Sequence, residues 1–435
     1  MMSHSSRIGL VDCNNFYVSC EQAFNPRLRK RPVVVLSNND GCVVSRSTEA
    51  KQAGIPMGVP YFQIRQQLYN INGVALSSNY PLYADMSSRA MRLIHEQIPQ
   101  QEIYSIDECF VDLSEFAADQ ALVEAFRIRQ RLLQCLSLPV SIGIGATKTQ
   151  AKLASAMAKK PSGSSGVCDL SSPPGSGRHA DMLLQSIRQV WGIGRRITER
   201  LEVNGVQTIG DLLGRPERWV RQHFGINLLR TVQELKGQPR LPFQTAPEPR
   251  KQIIASRSFG GAVYELNDLV EAVSTFVTRA GERLRTDHSL ASVIEVYYRA
   301  KNLAAPDIIH SDGASIILEA ATDDTRVLTG YAIEVLESIY QPGLKYKKAG
   351  IVLSGIVPAN IRQPALSGVY PMTDGPSQAM RVMDRINQRY GRDTVKIASM
   401  GARDKAPWHM SCSRRSRRYT TALTELPVLS AHGMR

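Results

Sequence analysis

No CxxC pair occurs in these 435 residues, and the seven cysteines, at 13, 20, 42, 109, 135, 168 and 412, are odd in number. Neither a paired-cysteine zinc site nor a disulfide framework is suggested, and the thiols are expected to be reduced and mostly buried. No uncharged apolar run approaches the roughly 20 residues that cross a bilayer. The opening MMSHSSRIGLVDC lacks the apolar core of a secretory signal. A cytoplasmic protein with no membrane partner is expected. Aromatic residues are sparse at 6%, but hydrophobic residues reach 43% and charged ones 21%, which excludes global disorder. The length exceeds what one hydrophobic core serves and suggests about three domains.

Positive charge is what the chain has in excess. The net charge is +14, yet residues 1–120 hold 10 Lys and Arg against 12 Asp and Glu. A basic body beside a locally acidic first quarter suits polyanion binding around a cation-binding centre. A solvated basic surface is the plain alternative.

Strand and helix patterns alternate through the first 160 residues. Strands read in RIGLVDCN, PVVVLS, GCVVSRS, EIYSI, CFVDL and PVSIGIGA, and helices in YADMSSRAMRLIHEQI, from about 119 to 137, and in KTQAKLASAMAKK. On the middle helix Leu122, Phe126, Leu133 and Leu136 share a side and are expected to face the core. This order predicts an α/β sheet layered with helices. Residues 161–177, PSGSSGVCDLSSPPGSG, break the pattern; a helical region with VWGIGRRITERL follows, and GQPRLPFQTAPEPRK reads as a stiff linker. From IIASRSFGG to KAGIVLSGIV the order is βαββαβ, a small sheet with two helices on one face. In SVIEVYYRAKN, alternation sends Ile294, Val296, Tyr298 and Ala300 to the helices and Glu295, Tyr297, Arg299 and Lys301 to a free basic face. Beyond about residue 359 no sustained periodicity is evident, and SRRSRR at 413–418 makes the tail basic.

Asp12 closes the first strand in GLVDCNNFY, and Asp107 and Glu108 stand side by side in EIYSIDECFVDL, whose apolar residues read as buried strand. Adjacent carboxylates there face a desolvation cost unless a cation meets them. Acids at strand ends suit two Mg²⁺ ions about 4 Å apart serving phosphoryl transfer. Each acid taken singly reads better as a surface or capping residue, and it is the constellation that favours a metal site. Cys109 reads as packing. Gly192 and Gly194 in VWGIGRR suit the tight turn of a helix-hairpin-helix, whose next helix would offer its N–H groups, with Arg195 and Arg196, to a phosphate. A plain αα-turn has the same pattern.

Taken together, GLVDCNNFYVSCE, SNNDGCVVSRSTEAK, SSNYPLYADMSSR, EIYSIDE, VWGIGRR and SRSFG resemble, in order and spacing and over nearly the whole chain, the Y-family of translesion DNA polymerases and within it the UmuC type. The resemblance implies an α/β (α+β) multidomain right hand. Its palm would be residues 1–24 and 76–165, its fingers 25–75, its helix-hairpin-helix thumb 166–238, its linker 239–250, its βαββαβ little finger 251–358, and a basic interaction region 359–435. Asp12, Asp107 and Glu108 would be the catalytic residues, holding two Mg²⁺ ions. Phe16 and Tyr17 would meet the nucleotide, with Tyr17 the gate against a ribose 2′-hydroxyl. Arg46, Thr48 and Lys51 would contact the nucleotide and its triphosphate; many relatives have Tyr and Arg where Thr48 and Lys51 stand. In MAKKP, either Lys159 or Lys160 matches a triphosphate-binding lysine.

The same resemblance places Gly192, Gly194, Arg195, Arg196, Arg257, Arg299 and Lys301 along DNA. Implied partners are primed template DNA, deoxynucleoside triphosphates, a processed UmuD-type accessory dimer, the RecA filament and the sliding clamp. The nearest clamp-binding peptide is QPALSG, in which Gln363 and Leu366 remain but Gly368 stands where an aromatic would anchor. The tail, with Trp408 and Tyr419, is expected to dock on a protein partner or on DNA. The implied activity is error-prone lesion bypass in SOS mutagenesis. A metal-dependent nuclease and a non-catalytic DNA-binding scaffold are the alternatives, and primer extension separates the three.

Overall fold

Six successive buried residues, IGLVDC, form β1 (Ile8–Cys13), the middle strand of a five-stranded sheet. The computed structural model describes residues 6–160, 165–171, 177–246, 248–302, 309–360, 378–403 and 406–426. After β1 come α1 (Phe16–Phe24), β2 (Val33–Leu36), β3 (Val43–Arg46), α2 (Thr48–Gln52), α3 (Tyr61–Asn70), β4 (Val74–Ser77) and α4 (Tyr80–Gln97). Then follow β5 (Gln101–Ile103), β6 (Glu108–Asp112), α5 (Ala118–Leu136), β7 (Val140–Gly145), α6 (Lys148–Ala158) and β8 (Val167–Asp169).

The larger sheet runs β5-β6-β1-β7-β8, with β1 antiparallel to both neighbours. Its faces meet different partners because side chains alternate along a strand. Val11, Cys13, Cys109 and Val111 join the core supplied by α4 and α5, whereas Ile8, Leu10 and Phe110 meet Ala151 of α6. α6 lies close on β7 because Gly143 has no side chain: a Cβ there would stand 2.1 Å from Ser155 N and 2.2 Å from Ala151 O. A smaller sheet, β3-β2-β4, has its own core around Val34, Leu36, Ile55, Ile64 and Leu68. Its strand β4 runs across the expected 75/76 boundary.

The two strands read in EIYSI and CFVDL are present as β5 and β6, paired as a hairpin; Asp107 sits in the turn and Glu108 begins β6. One local expectation is corrected. On α5, Phe126 and Leu133 are 40% and 52% exposed, and the buried face is Ala121, Ala125, Ile128 and Leu132. Small side chains let the helix approach its neighbours closely, so fit at the contact, not side-chain size, selected that face.

Next, α7 (Gly177–Leu183), α8 (Arg195–Val203), α9 (Ile209–Leu213) and α10 (Glu217–Leu235) gather Leu201, Ile209, Leu212, Val220 and Val232 into a further core. The proline-rich stretch after them is fastened in place at its start. Lys148 Nζ donates to Pro242 O (2.6 Å) and Gln244 N to a Glu102 carboxylate oxygen (2.7 Å). The chain divides into two compact units, one of residues 1–37, 41–247 and 414 onward, the other of residues 38–40 and 248–413.

The second unit contains β9 (Ile253–Val263), α11 (Leu266–Thr286), β10 (Ser289–Asn302), β11 (Ile309–Thr322), α12 (Thr325–Ile339) and β12 (Leu344–Ser354). Its antiparallel sheet runs β11-β10-β12-β9, and α11 and α12 share its core. Ile294, Val296, Tyr298 and Ala300 are buried there, while Arg299 is exposed, as alternation requires.

The tail departs from expectation. A helix, α13 (Gln378–Tyr390), stands where no periodicity was evident. Its buried positions are Met380, Met383 and Asn387; two methionines and an amide spaced among three arginines give a weak apolar signal. Trp408 is 5% exposed and packs edge-on against Phe276 (6.2 Å). In the first unit Tyr419 stacks flat on Phe24, 5.0 Å between centroids. Both aromatics expected to dock on a partner are therefore taken up by the chain itself, because burying them intramolecularly costs no association entropy. The QPALSG segment, 363–368, lies outside the described residues. All seven cysteines are free, with Cys13, Cys20, Cys109 and Cys168 buried. Among the described residues no helix is long and apolar enough to cross a membrane.

Candidate active site

Alternation along β1 and β6 turns Asp12 and Glu108 toward α6, and the two are register partners across the strand pair. Asp107 joins them through the backbone, where Cys13 N donates to Asp107 O at 2.9 Å; Ser105 Oγ donates to the Asp107 carboxylate at 2.7 Å. Lys152, within α6, and Lys159, at its C-terminal end, supply counter-charge. Lys159 Nζ stands 2.6 Å from Asp12 Oδ2 and Lys152 Nζ 3.0 Å from Glu108 Oε2. Asp12 is 8% exposed, and its carboxyl is pushed up to about 6, by burial above all, with Lys159 opposing and Glu108 and Asp107 adding to the rise. Ammonium groups thus already sit where positive charge is wanted. Among the described residues no three acids, histidines or cysteines enclose a closed ion site; Asp12 and Glu108 are turned to their lysines. The donor set, all carboxylate oxygen, fits a hard divalent cation in their place.

An open cleft of about 580 Å³ adjoins Lys159 and is lined by Asn14, Asn15, Thr48, Lys51, Arg129 and Lys160 as well. Lys51 donates to the Asn15 side chain, and desolvation, then the charges of Arg46 and Lys159, hold its ammonium below the ordinary lysine range. Cations that repel one another in a cleft of this size suit a polyanionic ligand such as a triphosphate. Arg46 donates to Ile55 O and keeps its Nε buried without a partner. Lys160 donates to Gln185, so of the two adjacent lysines it is Lys159 that reaches the acids.

At the start of α1, Tyr17 is half-buried with its ring stacked on Tyr83 (4.5 Å, 13°) and edge-on to Tyr80 (6.1 Å). Burial, then the Tyr80 and Asp107 charges, raises its hydroxyl above the ordinary range. Phe16 is different. Its ring is sealed in the core with Val18 and Cys20, so the expectation that it meets a nucleotide is corrected: one step along the helix turns it inward.

A family model described as the impB/mucB/samB family matches residues 11–156, and the model of that family's C-terminal domain matches residues 250–366. Protein UmuC of Salmonella typhimurium is 38% identical over 419 residues, covering 96% of this chain and 98% of that protein. A Dbh–Dpo4–Dbh chimera of Y-family DNA polymerase shares the fold, with a TM-score of 0.66 at 20% identity over 81% of this chain and 99% of that one. The chain belongs to the UmuC-type Y-family DNA polymerases. Within its wider kin, DNA polymerase IV of Moorella thermoacetica is 29% identical over 409 residues, 92% of this chain and 97% of that one. Residues 377–429 match a domain of unknown function.

For this UmuC-type polymerase the residues expected along DNA are on the surface. Gly192 takes φ +86°, a conformation that favours glycine, and opens the turn before α8. Gly194 is extended and caps α8 with open space around it, so its missing side chain is not demanded by the backbone. Arg195, paired with Glu199, and Arg196 are exposed on the first turn. In the second unit Arg257 and Arg299 are exposed and Lys301 partly so; Arg299 pairs in register with Lys348 and Lys301 with Lys345. Sequence reasoning missed Lys152 and Arg129. Lys148, Lys152 and Lys159 recur at i, i+4 and i+11, a stripe on one helical face that signals the first of these. Nothing local marks Arg129, whose guanidinium is aimed by a bond from its Nε to Val140 O (3.0 Å).

Proposed function

We propose that this chain performs its family's error-prone translesion DNA synthesis, in the SOS response, through a nucleotidyl-transfer centre in which Asp12, Asp107 and Glu108 hold two Mg²⁺ ions. Translesion polymerase activity and dependence on a divalent metal go with the family. The number and identity of the ions and the role of each residue are the proposal. The observation that carries it is the register pairing of Asp12 with Glu108, with Asp107 bonded to Cys13, beside a cleft walled by Lys51, Arg129 and Lys159. Bound Mg²⁺ would supply Lewis-acid neutralisation of phosphoryl charge.

The chain's own residues do the rest. Lys159 exchanges Asp12 for the incoming triphosphate, and Arg46, Lys51 and Arg129 hold its charge, with Thr48 and Lys160 at the rim. The primer 3′-hydroxyl attacks the α-phosphorus and pyrophosphate leaves; positioning and fixed charge lower the barrier. Tyr17, backed by Tyr83, stands against a ribose 2′-hydroxyl. Gly192, Gly194, Arg195 and Arg196, with Arg257, Arg299 and Lys301, follow the DNA backbone. Palm, fingers, thumb and little finger take the ranges given above, with two boundaries moved: β4 stays whole with the fingers sheet, and β8 stays with the palm sheet that it extends. A processed UmuD-type dimer, the RecA filament and the sliding clamp are the proposed protein partners, on family membership alone.

Primer extension on a labelled template tests the centre. The full-length chain extends the primer, and Asp12→Ala, Asp107→Ala or Glu108→Ala each abolishes extension while DNA binding stays nearly intact. Extension by Asp107→Ala in Mg²⁺ defeats the ligand assignment. Shortened strands would point to a nuclease, and a shifted but unaltered primer to a scaffold.

A further inference from the structure

Residues 414–425 form a strap along the first unit, and its polar contacts lead to the ring behind Tyr17. Ser77, at the end of β4, donates its backbone N–H to Arg414 O (3.1 Å), and Arg414 N donates to Ser77 Oγ (2.9 Å). Asn79, wholly buried, donates its amide to Ser416 Oγ (2.8 Å) and to Arg417 O (3.0 Å). Ser416 Oγ in turn donates to Glu21 Oε1 at 2.9 Å, the same oxygen that accepts the Tyr83 hydroxyl at 2.8 Å. A serine hydroxyl has one proton to give and lone pairs to receive, so this chain of bonds has one direction. The relay runs from Asn79 through Ser416 to Glu21. At the far end of α1, Tyr419 stacks on Phe24.

Glu21 is 1% exposed, and two O–H donors, one of them from the strap, satisfy a carboxylate that has lost its water. Tyr83 is also the ring on which Tyr17 lies flat. The helix α1 carries Tyr17, Glu21 and Phe24 together, and the strap touches the last two. The strap's polar contacts given above run to Ser77, Asn79 and Glu21 and not to the three acids, so its influence on the nucleotide passes through the tyrosine pair.

We propose that Ser416 is a positioning residue for sugar discrimination: the C-terminal strap fixes Tyr83 through Glu21, and Tyr83 in turn fixes Tyr17. The inference rests on Tyr17 being the sugar gate. Without the Ser416 hydroxyl, Glu21 is left short of a donor and draws in water or reorients, the tie on Tyr83 slackens, and Tyr17 gains room to rotate from the ribose.

Single-nucleotide insertion by the full-length chain, comparing deoxy- and ribonucleotide kcat/KM, tests this. Ser416→Ala should lower the deoxy/ribo preference on the order of tenfold, the scale of one lost charge-assisted hydrogen bond. Ser416→Thr, which keeps the hydroxyl, should retain it. Tyr83→Phe keeps the ring but removes the other donor to Glu21, and it should shift the preference the same way. In a Tyr17→Ala background Ser416→Ala should have no further effect on the ratio. An unchanged ratio in both Ser416→Ala and Tyr83→Phe, while Tyr17→Ala collapses it, overturns the strap's role and leaves the gate standing. Equal loss with both sugars also overturns it, since a merely structural residue would act that way. A parental ratio in Tyr17→Ala instead defeats the gate assignment beneath.

Discussion

Asp12 shows how one residue's surroundings set its chemistry. Its carboxyl, at about 6, ionises well above the ordinary 3.8 of an aspartate, chiefly because burial disfavours the charge. The folded chain therefore keeps this proton to higher pH than the unfolded chain. That preference favours the metal-free fold at low pH and is lost as pH rises through about 6. Metal ligation has the opposite sign, because the ligand must be ionised. Divalent-metal affinity is expected to be flat above pH 7 and to fall by about tenfold per unit below pH 6 as one proton competes. Calorimetric titration of the full chain with Mg²⁺ or Mn²⁺ between pH 5 and 8 checks this, and Asp12→Asn should abolish the dependence together with most of the affinity. Cys109, next to the acid pair, is wholly buried, and burial first and the Glu102 charge second push its thiol up to about 12, which fits packing and not nucleophilic attack.

At the scale of the element, α5 separates apolar content from packing. Two of its large residues, Phe126 and Leu133, are exposed, while Ala121 and Ala125 are buried with Ile128 and Leu132. Phe126→Ser and Leu133→Ser are expected to change stability by less than about 1 kcal/mol. Ala125→Leu, adding volume where the helix touches its neighbours, should cost about 1–3 kcal/mol. Denaturant unfolding of the three variants decides which face is the core. The turn before α8 offers a second test at this scale. Arg195→Ala and Arg196→Ala should each weaken DNA binding evenly across sequences and reduce the salt slope by about 1, as lost phosphate contacts do. A loss confined to particular base sequences would contradict a backbone contact.

At the scale of the whole molecule, the C-terminal residues are structural parts of both units. Residues up to 413 belong with the second and those from 414 with the first. Arg285, beneath α13, holds Asp384 with two bonds, of 2.6 and 2.9 Å, and Trp408 fills the core of the second unit. Trp408→Ala is expected to cost about 3–5 kcal/mol, in the range for emptying a large aromatic site. A chain truncated after Ala359 should melt at lower temperature and expose apolar surface, read by thermal unfolding and dye binding. Loss of partner stimulation in such a truncation would then report lost folding as well as any lost docking surface.

The sequence alone determined the order of elements, the βαββαβ unit, the two faces of SVIEVYYRAKN and the acids at the ends of β1 and β6, because periodicity and strand ends are local properties written in neighbouring residues. It determined the family as well, since motif order survives where contacts are not visible. Only the tertiary structure decided that Asp107 sits in a turn, that Phe16 faces the core while Tyr17 lies half-buried against Tyr83 and Tyr80, and that Arg129 enters the cleft. It also decided that Trp408 is buried within the chain, that Tyr419 packs partly buried on Phe24, and that Ser416 meets Glu21. Each of these depends on residues far apart in sequence finding the same space, and no local pattern encodes which distant surface a side chain will fill.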